Sequence, residues 1–326
     1  MAERPRIFVT RELPGEGLDR LRRAADLTVW PELDPPPAAA LRAGAAGADG
    51  LLTLLTDRVD GDLLDAAPNV RIVSNMAVGY DNVDVPACTQ RRVLVTNTPG
   101  VLTETVADLA FALILAFARR IVEGERAVRQ GDWPVWRPAW LLGRDVNGAT
   151  LGIVGLGAIG LAVARRARGF GMPLLYWSRH RKPEVEAELG VQWRSLDDLL
   201  RQADFVSLHV ALTPETRNLM GARELALMKP DGVLVNTARG GVVDQAALVR
   251  ALIERRIGGA ALDVYAVEPL PAEDPLLQLH NVLLAPHVGS ATIETRTKMA
   301  DLAVANLEAF FRGERPPCCV NPDVLT

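Results

Sequence analysis

The sequence predicts an α/β protein with two doubly wound parallel sheets, each in its own domain, and a cleft between the domains. Three observations lead there. Short apolar runs alternate with amphipathic stretches from Arg6 to Thr96, and the alternation resumes from Thr150 to Pro286. The segment Gly155-Leu156-Gly157-Ala158-Ile159-Gly160 sits between one such run and a helical pattern. At 326 residues, 49% of them hydrophobic, the chain is long enough to build two cores.

The elements follow in chain order. Strands are expected at Arg6 to Thr10, Leu27 to Trp30, Gly50 to Leu54, Val70 to Ser74 and Val93 to Thr96. Helical stretches such as Gly17 to Ala25 and Asp62 to Ala67 fit between them, so parallel βαβ units result. Pro35-Pro36-Pro37 is a loop or a stiff turn. Thr105 to Arg120 reads as a long, nearly all-apolar helix buried between bodies. Its uninterrupted apolar part, Leu109 to Ala118, is too short to span a bilayer. A polar, Trp-rich loop follows, with Trp133, Trp136 and Trp140. The second series places strands at Leu151 to Val154, Leu174 to Trp177, Phe205 to His209, Val233 to Asn236, Gly259 to Leu262 and Val282 to Ala285. Their carboxyl ends should face one crevice. A helical pattern from Ile293 to Phe311 comes after the last strand.

Composition narrows the function classes. The net charge of −4 leaves no basic surplus, which argues against nucleic acid as a partner. The start of the chain runs directly into a strand and lacks the apolar h-region of a secretory signal. Cys88, Cys318 and Cys319 form neither a metal-like spacing nor an even disulfide set, so no metal site and a cytoplasmic setting are expected.

The glycine segment fits a dinucleotide. Gly155 permits a tight turn, Gly157 lets the backbone approach a pyrophosphate, and Gly160 lets helix pack on strand. The diphosphate would rest on the backbone N–H groups that open the helix, with Leu156, Ala158 and Ile159 in the same loop. An NAD-binding chain usually carries Asp or Glu at the end of the next strand. Here Ser178 stands in that place, eighteen residues past Gly160, followed by Arg179, His180 and Arg181. A missing acid with added guanidinium predicts preference for NADP(H), with NAD(H) as the other nicotinamide cofactor considered.

Further along come Asn236-Thr237-Ala238-Arg239-Gly240, Leu262-Asp263-Val264-Tyr265 with Glu268-Pro269, and Pro286-His287-Val288-Gly289-Ser290. Taken with the glycine segment, this order of Arg, Glu and His resembles the D-isomer-specific 2-hydroxyacid dehydrogenase family. Within it, the chain is similar to the glyoxylate/hydroxypyruvate reductases. The resemblance covers nearly the whole chain and includes Asn75 to Asp84 and Thr98 to Thr103. It implies two Rossmann-like domains. Residues 1–98 with 288–326 would form a discontinuous substrate domain and residues 99–287 the dinucleotide-binding domain, joined so that a hinge can close over substrate.

The resemblance also implies roles. His287 would protonate the nascent alkoxide, a task suited to an imidazole that titrates near working pH. Glu268 would hold the far ring nitrogen, fixing the tautomer and raising the imidazole pKa. Arg239, in a Gly-flanked turn after a strand, can grip a substrate carboxylate bidentately. Val78 and Gly79 match the loop whose backbone N–H groups meet that carboxylate. Asp263 falls on the cofactor side of the site, or else caps a turn at its strand end. Thr105, His209, Thr237, Ala238 and Gly289 are further cofactor contacts that the resemblance implies.

Trp140 either reaches a neighbouring subunit's substrate site or packs with Trp133 and Trp136 at the domain junction. The apolar helix and the Trp loop together offer a surface for a homodimer. The activity implied is NAD(P)H-dependent reduction of a small 2-oxo acid. Phosphoglycerate, D-lactate and phosphite dehydrogenases are alternatives within the superfamily, although no room is expected for the regulatory domain of many phosphoglycerate enzymes. A formate enzyme is disfavoured, since Gln typically partners the His there. A nucleotide-sensing, corepressor-like binding protein is the alternative from another class.

Overall fold

A computed structural model describes residues 4–325 of the chain. It divides into two compact units, Met1–Leu102 with Ser290–Thr326, and Thr103–Gly289.

The first unit holds strands β1 (Arg6–Val9), β2 (Asp26–Val29), β3 (Gly50–Thr53), β4 (Ile72–Asn75) and β5 (Leu94–Thr96). They form one sheet in the order β2-β1-β3-β4-β5. Every pairing is parallel. Strands β3, β4 and β5 are buried along their whole length, as expected when helices cover both faces of a parallel sheet. Helix Gly17–Ala24 turns Leu18 and Leu21 inward. Helix Ile293–Phe311 lies against it and against β3 and β4, where Ser74 Oγ donates to the Ala303 carbonyl at 2.8 Å.

The tail beyond that helix protects the edge strand β5. Val320 N–H donates to Val95 O, and the Asn321 side chain accepts from Val95 N–H at 2.7 Å while donating to Val93 O at 3.0 Å.

The second unit holds β6 (Leu151–Val154), β7 (Leu174–Trp177), β8 (Gln192–Trp193), β9 (Phe205–Leu208), β10 (Val233–Asn236), β11 (Gly259–Leu262) and β12 (Val282–Leu284). The sheet order is β12-β11-β10-β9-β6-β7-β8, again parallel throughout. Chain direction across the sheet reverses between β6 and β9, and ligands of open α/β sheets bind at the carboxyl ends beside such a switch.

Two elements differ from the sequence reading. The apolar helix runs Thr103–Ala118 rather than to Arg120, because Arg120 adopts a left-handed conformation at φ 51° and a second helix, Ile121–Gln130, starts there. That break separates a nearly all-apolar segment from one in which charged and apolar residues are mixed. The two-residue strand β8 has no counterpart among the expected strands. It is solvent-exposed, so it carries no apolar run to announce it.

Among the described residues, no helix is long and apolar enough to cross a membrane. Asn321→Ala should cost about 2 kcal/mol, since it strands the Val95 N–H and the Val93 carbonyl in a buried place. Urea denaturation checks this, and a loss below about 0.5 kcal/mol would show that the tail does not hold β5.

Candidate active site

Three neighbouring strands, β10, β11 and β12, end side by side, and the loops that leave them carry Arg239, Asp263, Glu268 and His287. At the end of β10 the buried Asn236 clamps the next turn. Its amide donates to Arg239 O at 2.9 Å and accepts from Ala238 N–H at 3.0 Å. Gly240 then passes so close to the next loop that a Cβ there would lie 1.8 Å from Tyr265 O. Glycine is therefore required for the Arg239 turn to pack against the Tyr265–Glu268 loop. Thr237, in the same turn, has a buried hydroxyl without a hydrogen-bond partner among the described residues.

Asp263 follows β11 and is buried. Its carbonyl accepts from His287 N–H at 2.9 Å, and its carboxylate accepts from Val288 N–H at 2.8 Å and Gly289 N–H at 2.9 Å. These bonds hold His287 in a left-handed conformation, φ 53°, uncommon outside glycine. Asp263 thus caps the turn that presents the histidine. Burial pushes its carboxyl up from the usual range, against the two N–H bonds and the facing His287. Gly289 lies against Val106, in the first turns of the helix that also carries Thr105.

The imidazole Nδ1 of His287 meets Glu268 Oε2 at 2.5 Å. The other carboxylate oxygen, Oε1, accepts from Tyr265 N–H at 2.9 Å. Tyr265 is itself tied to the end of β12, since its hydroxyl donates to Ala285 O at 2.8 Å. Burial would raise the Glu268 carboxyl, yet the His287 bond, the Tyr265 N–H and the charges of His287 and Arg239 outweigh it and hold it below its usual range. The side chain is an anion at neutral pH, and His287 keeps Nε2 for other work.

The glycine segment lies between β6 and helix Ala158–Arg168. Gly155 takes φ 98°, and a Cβ on it would stand 2.7 Å from His209 O. A Cβ on Gly160 would stand 2.2 Å from Gly155 O, whereas one on Gly157 would meet nothing within 4 Å. The first and third glycines serve the turn and the helix packing. The second leaves backbone open to a visitor, as the pyrophosphate reading requires.

A cavity of about 250 Å³ borders Gly155, Leu156, Gly157, Ser178, Arg179 and His209, among others. The fit to a dinucleotide rests on this: open backbone at Gly157, a helix start without a side-chain cap, and a basic rim. His209 bonds Ser207 Oγ at 2.8 Å, and desolvation pushes its imidazole down to about 4, so it is neutral.

The basic turn differs from expectation in one respect. Arg181 is engaged by Glu186, with bonds of 2.7 to 3.1 Å, so it is diverted from the open cavity. Arg181 and the Tyr176 hydroxyl hold the Glu186 carboxyl down at about 2. Arg179 is exposed at the rim, with Ser178 Oγ bonded to the His180 carbonyl beside it. The sequence reading passed over Lys182, whose ammonium donates to Leu156 O at 2.7 Å and braces the fingerprint loop.

In the first unit, the Val78–Gly79 loop follows β4. Three consecutive carbonyls are held there: Ala77 O by Thr98 N–H at 2.9 Å, Val78 O by Asn97 Nδ2 at 2.8 Å, and Gly79 O by Asn75 Nδ2 at 3.2 Å. A trans peptide points its N–H away from its carbonyl, so the N–H groups of Val78, Gly79 and Tyr80 are turned to the other side. Trp140 is half-buried, while Trp133 and Trp136 are exposed.

Residues 111–289 match the D-isomer-specific 2-hydroxyacid dehydrogenase NAD-binding domain. A curated glyoxylate reductase from Korarchaeum cryptofilum (strain OPF8) is 53% identical over 99% of this chain and 97% of its own length.

The chain belongs to the D-isomer-specific 2-hydroxyacid dehydrogenase family.

Solved structures agree. A protein from Thermus thermophilus superimposes with a TM-score of 0.91 at 47% identity, covering 97% of this chain and 99% of its own. The NADPH-dependent glyoxylate/hydroxypyruvate reductase of Sinorhizobium meliloti, in complex with NADP and malonate, gives 0.88 at 38% identity, with 98% and 97% covered. The dehydrogenase is an oxidoreductase that works with a nicotinamide cofactor on small 2-oxo and 2-hydroxy acids. Among its described residues, no cluster of three His, Cys, Asp or Glu side chains could hold a metal ion.

Proposed function

We propose that the protein reduces glyoxylate and hydroxypyruvate to the corresponding 2-hydroxy acids, with NADPH preferred over NADH. The observation that carries the chemistry is the 2.5 Å pairing of His287 Nδ1 with Glu268, which leaves Nε2 to deliver a proton. When bound, the reduced nicotinamide supplies a hydride to the carbonyl carbon. His287 Nε2 gives its proton to the carbonyl oxygen, completing the alcohol, and Glu268 stabilises the imidazolium that precedes this transfer. Arg239 binds the substrate carboxylate and polarises the adjacent carbonyl. The backbone N–H groups of Val78 and Gly79 are the second anchor for that carboxylate. On this reading Met1–Leu102 with Ser290–Thr326 is the substrate unit.

The cofactor site takes the pyrophosphate on the residues Gly155 to Gly160, and Thr105, Thr237, Ala238, His209 and Gly289 line the rest. Ser178 in place of an acid, with Arg179 and Lys182 beside it, supports the NADPH preference. Arg181 is left out of this role because of Glu186.

A homodimer is the proposed assembly. The surface that supports it has moved from the apolar helix, which packs within its own unit, to the next one. Helix Ile121–Gln130 buries no residue, and Ile121, Val128, Trp133, Leu142 and Trp136, the last 74% exposed, are large apolar side chains left to water. Trp140 sits at the end of this loop and would reach the partner's substrate. Three free thiols, Cys88 among them in the core, favour the reducing cytoplasm.

Oxidation of NADPH, followed at 340 nm, should be fastest with glyoxylate and hydroxypyruvate and slow with 2-oxoglutarate. Ser178→Asp should shift the NADPH/NADH ratio of kcat/KM toward NADH by more than about tenfold, because a carboxylate repels a 2′-phosphate. A ratio that stays put would remove the assigned phosphate site. Glu268→Gln should lower kcat by about 10²-fold or more, since the carboxylate that holds Nδ1 and faces the imidazolium is gone. A kcat within threefold of the parent would end the pairing's role. Light scattering at micromolar concentration should give twice 35.2 kDa, and a monomer would exclude the cross-subunit Trp140.

A further inference from the structure

We infer that Asn97, supported by Asn75 and Asn82, is a positioning residue that sets the orientation of the substrate-binding loop. The inference rests on the reading that Val78 and Gly79 hold the substrate carboxylate, and it names what makes them able to. Strands β4 and β5 pair in parallel with Ser74 opposite Thr96, so Asn75 and Asn97 leave the sheet side by side. Each then donates to one carbonyl of the loop, Asn97 to Val78 O and Asn75 to Gly79 O.

A free loop of this sort would let the Val78–Gly79 peptide turn over, because rotation of ψ at one residue against φ at the next flips a peptide plane at little steric cost near glycine. A flipped peptide offers a carbonyl oxygen to an anion. The side-chain amide of Asn97 is the restraint that forbids it, since it gives its hydrogen only to the carbonyl and so fixes the Gly79 N–H on the far side.

The support runs further back into the unit. Asn82 exchanges hydrogen bonds with Asn75 at 3.2 and 3.3 Å and donates to Leu54 O at 3.0 Å and Asp57 O at 2.8 Å, after β3. Asp57, buried, accepts from Leu54 N–H at 2.7 Å and from the Thr10 hydroxyl after β1, with the Arg11 guanidinium at 3.5 Å. On the other side, Asn306 of the C-terminal helix donates to Asn97 O at 3.2 Å. The loop is therefore braced from β1, β3, β4, β5 and that helix, all within one unit.

Asn97 is half-buried, so its truncation is the more tolerable change, and Asn75→Ala serves as the second variant. Asn97→Ala should raise KM for glyoxylate at least tenfold and weaken inhibition by oxamate to the same degree. The kcat should stay within threefold, and the NADPH dissociation constant, measured by fluorescence, should not change. A crystal structure of the variant should show the Val78–Gly79 peptide turned.

Unchanged KM with an unmoved peptide would overturn the positioning role. Unchanged KM with a turned peptide would overturn it differently, by showing that the loop does not hold the carboxylate. Loss of NADPH affinity together with KM and kcat would mark general damage to the fold and count against the inference.

Discussion

The Asp263 carboxylate is committed to two backbone N–H groups, and the geometry of the candidate site depends on that grip. A residue other than glycine pays on the order of 1 kcal/mol to sit in the left-handed region, and His287 does so. Without Val288 and Gly289 anchored to Asp263, the turn would relax and the ring would leave Glu268. The anchoring is itself costly, since burial works against the charged carboxylate. The two N–H bonds to that carboxylate hold the turn in place. Tyr265 makes the arrangement stiffer, because its N–H fixes Glu268 while its hydroxyl fixes the end of β12.

The charges of the two sites in the second unit are set by opposite outcomes of burial. Around Glu268, partners win and the group stays ionised. At His209 desolvation has no opponent, and the ring is neutral at any ordinary pH. Positive potential around that cavity comes instead from Arg179, Lys182 and the uncapped N–H groups at the start of helix Ala158–Arg168. Arg181, which looks equivalent to Arg179 in the sequence, is neutralised by Glu186.

Both parallel sheets and the distinct duties of Gly155, Gly157 and Gly160 were legible in the sequence, because each depends on local pattern or on the absence of one Cβ. The Arg239, Glu268 and His287 set was legible only through family resemblance. Nothing local distinguishes Glu268 from any glutamate before a proline. The fate of Arg181 was not legible: Glu186 lies five residues further on, and its reach back to the basic turn depends on Tyr176 from the preceding strand. The Asn75–Asn97 pairing was hidden for a similar reason. Twenty-two positions separate the two residues, and only the register of β4 on β5 makes them neighbours.

A choice between amide and carboxylate recurs at the ends of β4, β5, β10 and β11. Beyond the last ladder bond the chain loses its sheet partners, and a strand-end side chain must supply what the neighbour no longer does. Asn236 holds a carbonyl and an N–H of the Arg239 turn together, and Asn75 and Asn97 hold carbonyls of the Val78–Gly79 loop. An aspartate in these places could only accept, so it would leave those carbonyls loose. At the end of β11 the demand is reversed. Two N–H groups need acceptors, no carbonyl needs a donor, and Asp263 meets that demand with both oxygens. Which of the two residue types stands at a strand end therefore follows from which half of the peptide bond has to be held still.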